Sequence, residues 1–424
     1  MVGLDVARCL ALLGMVATHV LDERTAGGDL VTAQWLAGGR ASALFATLAG
    51  VSIALMTGGR TPVRGRARGR RTASLAIRAV LVALVGLALG ELDSGLAVIL
   101  AYYGVLFLLA LPFVGLGARA LALLTVAWVV VAPVVSWAVQ PELPARDFAS
   151  PSLGDLADPG GLAAELLFTG YYPALPWLAY LLGGMALGRA DLRNRRLLAA
   201  LAAGGVAVAA AVTALSRRLT AGAEELLVGQ PFEDVDSLLD EIATGMFGNV
   251  PVGGSWQWLL VVAPHSSTPF DLAQTLASAV AVIGVCCLLA RLLPFPGRVF
   301  LAVLFGAGTM TLTLYSLHVV MRTPDVWPDE QPAAFLEHVV VLLGIGAVFA
   351  AAGLRGPLEW VVATASGYRY FMTTTPVPPT EPGTDPYPGG IPEPGPDIPD
   401  PFPDTPPVPT PQPGEDPMPP EPPD

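Results

Sequence analysis

An arginine and a histidine stand eleven positions apart in the first apolar run of the chain: Arg8 and His19 lie within GLDVARCLALLGMVATH. At 100° per residue, eleven helical steps come to about 1100°, roughly 20° past three full turns, so both side chains face one side of a helix, about 16 Å apart along its axis. Asp5 stands three residues before Arg8, a spacing that pairs an acid with a base on one helix face. Titratable groups inside an apolar span are costly and mark cavities or pathways, so this stripe predicts a polar route between the two membrane faces. A histidine on it can take a proton from a hydroxyl or amine and return it to a leaving group, because its ordinary pKa lies near neutrality. A hydrogen bond from His19 to a neighbouring helix or a water is the competing structural reading, and spacing alone leaves both open.

Composition says what kind of element must carry these residues. Of 424 residues, 53% are hydrophobic and 14% charged, with mean hydropathy +0.59, which is more apolar side chain than one soluble core covers. A bilayer core needs about 20 apolar residues per helix. Such runs recur at 4–22, 41–58, 75–92, 96–115, 119–138, 168–188, 197–216, 272–292, 299–319 and 333–353. The fold class expected is an all-α, polytopic integral membrane protein with about ten transmembrane helices. The first run lacks a basic leader and a small-residue cleavage site, so it reads as a retained helix rather than a signal peptide.

All 23 basic residues are arginines. Those in short loops, at 60–71, 119, 189–196 and 291–298, fall on one side of a ten-span count, which predicts cytoplasmic termini and external loops at 139–167, 217–271 and 320–332. The net charge of -12 comes mostly from the stretch 376–424, with ten carboxylates, no basic residue and 22 prolines in 49 positions. That composition predicts a disordered cytoplasmic tail. Its PVPTP segment suits a proline-recognition partner, against the alternative of plain low complexity. The expected organisation is a membrane domain at 1–355, an interfacial segment at 356–375 and the tail at 376–424. Cys9, Cys286 and Cys287 show no CxxC or Cys/His metal spacing, so neither a metal nor a disulfide framework is expected. Soluble enzymes, nucleic-acid binders and zinc modules are excluded together.

The helix-1 segment resembles the opening helix of the membrane acyltransferase superfamily, whose acyltransferase-3 branch begins LDxxRxxAxxxxxxxH. Leu4, Asp5, Arg8, Ala11 and His19 align with that pattern. GGRASALFATLAGVSIAL at 38–55, YYPALPWLAYLLGGMALGRADL at 171–192, PHSSTPFD at 264–271 and GTMTLTLYSLHVV at 308–320 resemble the bacterial relatives of heparan-alpha-glucosaminide N-acetyltransferase and the neighbouring domain-of-unknown-function 418 proteins. The resemblance spreads over most of residues 1–355. It implies transfer of an acyl group, with acetyl expected, from cytoplasmic acyl-CoA to a hydroxyl or amine of a cell-envelope sugar or glycolipid at the outer face. It also implies that His19 is the catalytic base and Arg8 stands in the same channel. Cys9 departs from the glycine that usually follows the arginine.

Around that reading, His318 near the external end of its span and His265 and Asp271 in the polar motif are expected to converge with His19 on one external vestibule. There they suit binding of the acceptor sugar or orientation of His19. Ser266, Ser267, Thr268 and Asp271 equally suit a helix cap with His265 a bystander. His338 is left outside the site. Arg40, at the external start of the second span, suits an anionic acceptor or a snorkelling interface position. Tyr102, Tyr103, Tyr171, Tyr172 and Trp177 read as membrane anchors. Arg64 and Arg66, within the basic cluster after the second span, suit collection of the CoA phosphates, or equally anionic lipid.

The lipid bilayer and the acceptor are the expected partners in a multi-pass protein of the plasma membrane, and homodimerisation stays open. Two other functions stay open too. One is a transporter of a small solute or lipid-linked precursor, with Arg8 and His19 as stations in its pathway. The other is a scaffold whose proline-rich tail recruits a partner.

Overall fold

The computed structural model describes residues 1–367, apart from 146, 147, 325, 329 and 330. The proline-rich tail expected at 376–424 lies outside the described residues. Within them the chain is all-α, and its extended pairing amounts to one isolated bridge between Arg24 and Leu30.

The α-helices of nine residues or more are α1 (Val2–Val20), α2 (Arg40–Met56), α3 (Gly65–Gly90), α4 (Leu100–Ala110), α5 (Ala118–Val139), α6 (Ala174–Arg189), α7 (Arg195–Thr220), α8 (Pro269–Leu292), α9 (Phe295–Leu304), α10 (Thr311–Met321), α11 (Phe335–Ala351) and α12 (Pro357–Ala365). Seven stretches among the described residues are long and apolar enough to cross a membrane: Val2–Val20, Thr32–Met56, Gly65–Gly90, Ala118–Glu142, Arg195–Thr220, Pro269–Leu292 and Pro332–Ala351. Leu100–Gly115, Phe295–Leu304 and Thr311–Met321 are apolar but shorter. Exposed Leu123, Val126, Val130, Val206 and Val208 give α5 and α7 the apolar outer faces that lipid tails cover.

Close helix contact rests on small residues, as it must where lipid is as apolar as the interface. A Cβ on Gly184 of α6 would sit 1.9 Å from the Thr47 carbonyl oxygen of α2, and one on Gly50 of α2 would sit 2.2 Å from the Leu181 carbonyl oxygen of α6. Only glycine permits that backbone approach. Arg189, buried at the end of α6, donates to the carbonyl oxygens of Ala54, Thr57, Gly59 and Val114 and to the Thr57 hydroxyl. It thereby fixes the end of α2 and the turn after it.

Three spans differ from the sequence reading. The run at 96–115 is α-helical only over Leu100–Ala110 and continues as a 3-10 turn at Leu111–Gly115. The run at 168–188 starts with one π-helical turn, Glu165–Thr169, then an extended link, and becomes α-helical only at Ala174. The run at 299–319 is two helices, α9 and α10, separated by a 3-10 turn at Gly306–Thr309. The physical reason is packing: a Cβ on Gly308 would meet the Asp5 carbonyl oxygen at 1.8 Å, and one on Gly306 would meet that of Gly346 at 2.3 Å. Such a break is tolerated at membrane depth where protein surrounds it and its freed amides find partners. Here Glu359 of α12 supplies them. Its carboxylate accepts from the Leu312 amide at 2.7 Å, the Thr313 amide at 3.2 Å and the Thr313 hydroxyl at 2.6 Å. A carboxylate at a helix start satisfies orphan donors and meets the positive end of the helix dipole.

The stretch 221–263 makes its own small apolar cluster around Leu226, Leu238, Trp258 and Val261. Arg24, in the turn after α1, ties it down through the Asp240 carboxylate at 3.1 Å and the Asp240 carbonyl at 2.6 Å. Gln34 adds a bond to the Thr244 carbonyl.

Candidate active site

His19 is the last but one residue of α1, and α10 lies beside that end of the helix. The Nδ1 of His19 is 3.0 Å from the Nε2 of His318, and the two rings lie parallel, 5.3 Å between centroids. The opposite nitrogen of His318, Nδ1, is 3.1 Å from the Nδ1 of His338, whose ring stands nearly perpendicular at 76°. His318 and His338 are fully buried, whereas His19 retains some exposure. Three helices therefore hold three imidazoles in one chain, with His19 its least buried member.

Arg322, four residues beyond His318, is close enough for its charge to act on all three rings. Among the described residues no group of three His, Cys, Asp or Glu side chains is placed to hold a metal ion.

The fourth histidine approaches from the loop before α8. His265 sits in a left-handed conformation (φ 59°), and so does Ser267 (φ 54°). Two non-glycine residues in that region store strain, a cost that persists where the surroundings impose it. The imposing contacts are visible. Trp177 stacks on the His265 ring at 6.2 Å and 6°, Tyr171 and Tyr172 close two other sides at 4.8 and 5.5 Å, and the Trp177 indole N–H donates to the Ser267 hydroxyl at 3.2 Å. The Nδ1 of His265 is buried without a hydrogen-bond partner. Burial first, and the neighbouring His19 second, push its pKa down to about 3, so this imidazole is neutral at physiological pH.

Asp271 is buried, and its carboxylate accepts from the Ser267 amide at 3.1 Å. Thr268 caps α8: its hydroxyl accepts from the Asp271 amide at 3.0 Å and donates to the Val261 carbonyl at 2.6 Å. The cap foreseen for this motif is thus formed by Thr268, in the same loop that carries His265. Arg40, at the start of α2, donates to the Trp35 carbonyl at 2.7 Å, and its charge acts on Asp271. A Cβ on the adjoining Gly39 would touch Pro264 at 3.1 Å. Arg40, Asp271, His265, His19 and His318 thus gather at one end of the bundle.

Arg8 does not join them. It stands at the other end of α1, held by Asp5 at 2.5 Å and by the Ser52 hydroxyl at 2.9 Å, and Asp5 also takes the chain's amino terminus at 3.3 Å. Arg64 and Arg66 are exposed at the start of α3, which follows the Ser52 end of α2. Donor-side and acceptor-side candidates therefore occupy opposite ends of the same helices.

His338 is the residue the sequence reading left out. The available signal was topological: His318 closes one apolar run and His338 opens the next, so a hairpin between antiparallel helices brings them level. Tyr172, expected as a membrane anchor, is instead buried, as is Tyr315, whose hydroxyl accepts from the Ile99 amide at 3.3 Å.

A search of curated proteins finds no match to the chain. A family model described as "Heparan-alpha-glucosaminide N-acetyltransferase, catalytic" matches residues 1–219, just over half of the 424. That match includes α1 with Arg8 and His19, and with the membrane-spanning helices it makes this a multi-pass membrane protein of acetyltransferase type. The chain belongs to the heparan-alpha-glucosaminide N-acetyltransferase catalytic-domain family.

Proposed function

We propose that the protein transfers an acetyl group from cytoplasmic acetyl-CoA to a hydroxyl or amine of a cell-envelope sugar or glycolipid on the outer face of the plasma membrane, with His19 as general base. The observation that carries this reading is His19 itself: its Nδ1 is engaged by His318, and of the three linked histidines it alone is not fully buried. That is the arrangement of a base whose second nitrogen is oriented by a neighbour. Arginine placement supports cytoplasmic termini, which sets Arg8 at the inner mouth and His19 at the outer one.

In this mechanism the bare Nε2 of His19 accepts the proton of the acceptor O–H or N–H as that oxygen or nitrogen attacks the thioester carbonyl. The tetrahedral intermediate collapses with cleavage of the C–S bond, and the His19 imidazolium returns its proton to the departing CoA thiolate. Arg8, anchored by Asp5 and Ser52, positions the donor, and Arg64 and Arg66 gather its phosphates. Tyr171, half-buried beside His265, offers an aromatic surface to a sugar ring, with Arg40 and His318 at the same end. Asp271 acts there by holding the strained loop.

Binding of acetyl-CoA to the detergent-purified protein tests the donor assignment. Saturable binding weakened by Arg8→Ala supports it. If a folded protein does not bind acetyl-CoA, and instead exchanges a labelled solute across proteoliposomes, the transport reading replaces it.

A further inference from the structure

We propose that His338 is a positioning residue: acting through His318, it decides which ring nitrogen of His19 carries the proton. The inference rests on the reading of His19 as the base, and it comes from counting protons along the chain of three rings.

A neutral imidazole has one N–H and one bare nitrogen. His318 uses both of its nitrogens, Nε2 towards His19 and Nδ1 towards His338. It must therefore donate to one neighbour and accept from the other. Only two arrangements of three neutral rings satisfy both contacts.

In the first, His19 Nδ1–H donates to His318 Nε2, His318 Nδ1–H donates to His338 Nδ1, and His338 keeps its proton on Nε2. The Nε2 of His19 is then bare and can act as a base. In the second, every bond reverses: His338 Nδ1–H donates to His318, His318 Nε2–H donates to His19, and the Nε2 of His19 carries a proton and can only donate. No mixed arrangement keeps both bonds. The tautomer of His338, buried and on another helix, is thus locked to that of His19. Acyl transfer as proposed requires the first arrangement, in which His338 is the terminal acceptor.

The geometry distinguishes this chain from a metal centre. Three ligands to one ion must aim their nitrogens at a common point, whereas His318 presents opposite edges of its ring to its two partners. Arg322 contributes a positive charge near all three rings.

Replacement of His338 predicts a definite direction. In His338→Leu the Nδ1 of His318 loses its acceptor in a fully buried site. A buried N–H without a partner is unfavourable, so His318 moves its proton to Nε2 and donates to His19. His19 then holds its proton on Nε2 and ceases to be a base. Turnover falls by about ten-fold or more, from the loss of one hydrogen-bonded orientation, while KM for acetyl-CoA stays unchanged. His338→Asn places an amide oxygen near the position of Nδ1 and restores both the acceptor and most of the turnover.

The protein has four histidines, so histidine labelled with nitrogen-15 gives four pairs of ring signals, and their shifts report which nitrogen is protonated. In the wild-type protein the expected pattern is Nδ1–H on His19 and His318 and Nε2–H on His338, with nitrogen–nitrogen couplings across both hydrogen bonds. His338→Leu is expected to move the His19 proton to Nε2, and His338→Asn to leave it on Nδ1. A wild-type His19 protonated on Nε2, or a His19 tautomer unmoved by His338→Leu, overturns the inference. Should the leucine variant fail to fold, the wild-type pattern and couplings decide alone. Because these readouts need no turnover, the expected pattern in a protein that transfers no acetyl group upholds the coupling and rejects the acetyltransferase reading instead.

Discussion

Glu359 stands at the opposite end of α10 from His318 and sets the start of that helix. Its carboxylate takes two backbone amides and one hydroxyl at the first turn of α10. Hydrogen bonds to a charged acceptor contribute about 1.5–3 kcal/mol, and a lost N-cap costs about 1 kcal/mol. The three donors are part-buried, and water recovers some of that cost. Glu359→Ala is therefore expected to destabilise the protein by about 2–4 kcal/mol, and Glu359→Gln, which keeps one acceptor oxygen but loses the charge, by about half as much. For a chain of this size, about 2 °C per kcal/mol is reasonable, so the alanine variant should unfold roughly 4–8 °C lower. The assay is thermal unfolding in detergent, followed by tryptophan fluorescence, with Glu337→Ala as the control because that side chain is exposed and should change little. A Glu359→Ala midpoint equal to that of Glu337→Ala would refute the reasoning that this carboxylate holds the broken helix.

Three further outcomes follow from the same geometry. Gly184→Ala, which drives a methyl group against the Thr47 carbonyl, should destabilise by about 1–3 kcal/mol, whereas Gly204→Ala, with nothing within 4 Å, should be neutral or slightly stabilising; paired melting curves check this. His265 is held neutral, with a folded pKa of about 3 against an ordinary 6.5, so its contribution to stability is complete above pH 6.5 and is lost as pH falls towards 3. Denaturant midpoints from pH 7 to 4 should thus fall less steeply in His265→Asn than in wild type. Removing 376–424 should leave acetyl-CoA turnover unchanged, and a truncated protein that folds but no longer turns over would reassign the tail to the active unit.

Much of the architecture is legible in the sequence because a bilayer selects for run length and apolar composition. The apolar runs carrying α1, α2, α7 and α8 stand out for that reason. The break between α9 and α10 does not, since Gly306, Ala307 and Gly308 are also the small residues that any packed membrane helix favours. What makes them a break is the backbone of Asp5 and Gly346 pressed against them, a tertiary fact. The site divides the same way. His19 is legible from its spacing to Arg8, but His338 is not, because a single histidine in an apolar run gives no sign of its partner until the α10–α11 hairpin sets the register. PHSSTPFD shows its cap in its composition. The strain at His265 and Ser267 comes from Trp177, Tyr171 and Tyr172 of a distant segment, which no local pattern records.

Turnover of acetyl-CoA by the purified, folded protein, comparing wild type with His19→Ala, bears most directly on the central claim. Slow hydrolysis or transfer by the wild type that falls by about 10²-fold or more in the variant, with acetyl-CoA still bound, is the result predicted. Undiminished turnover in a folded His19→Ala protein would contradict it.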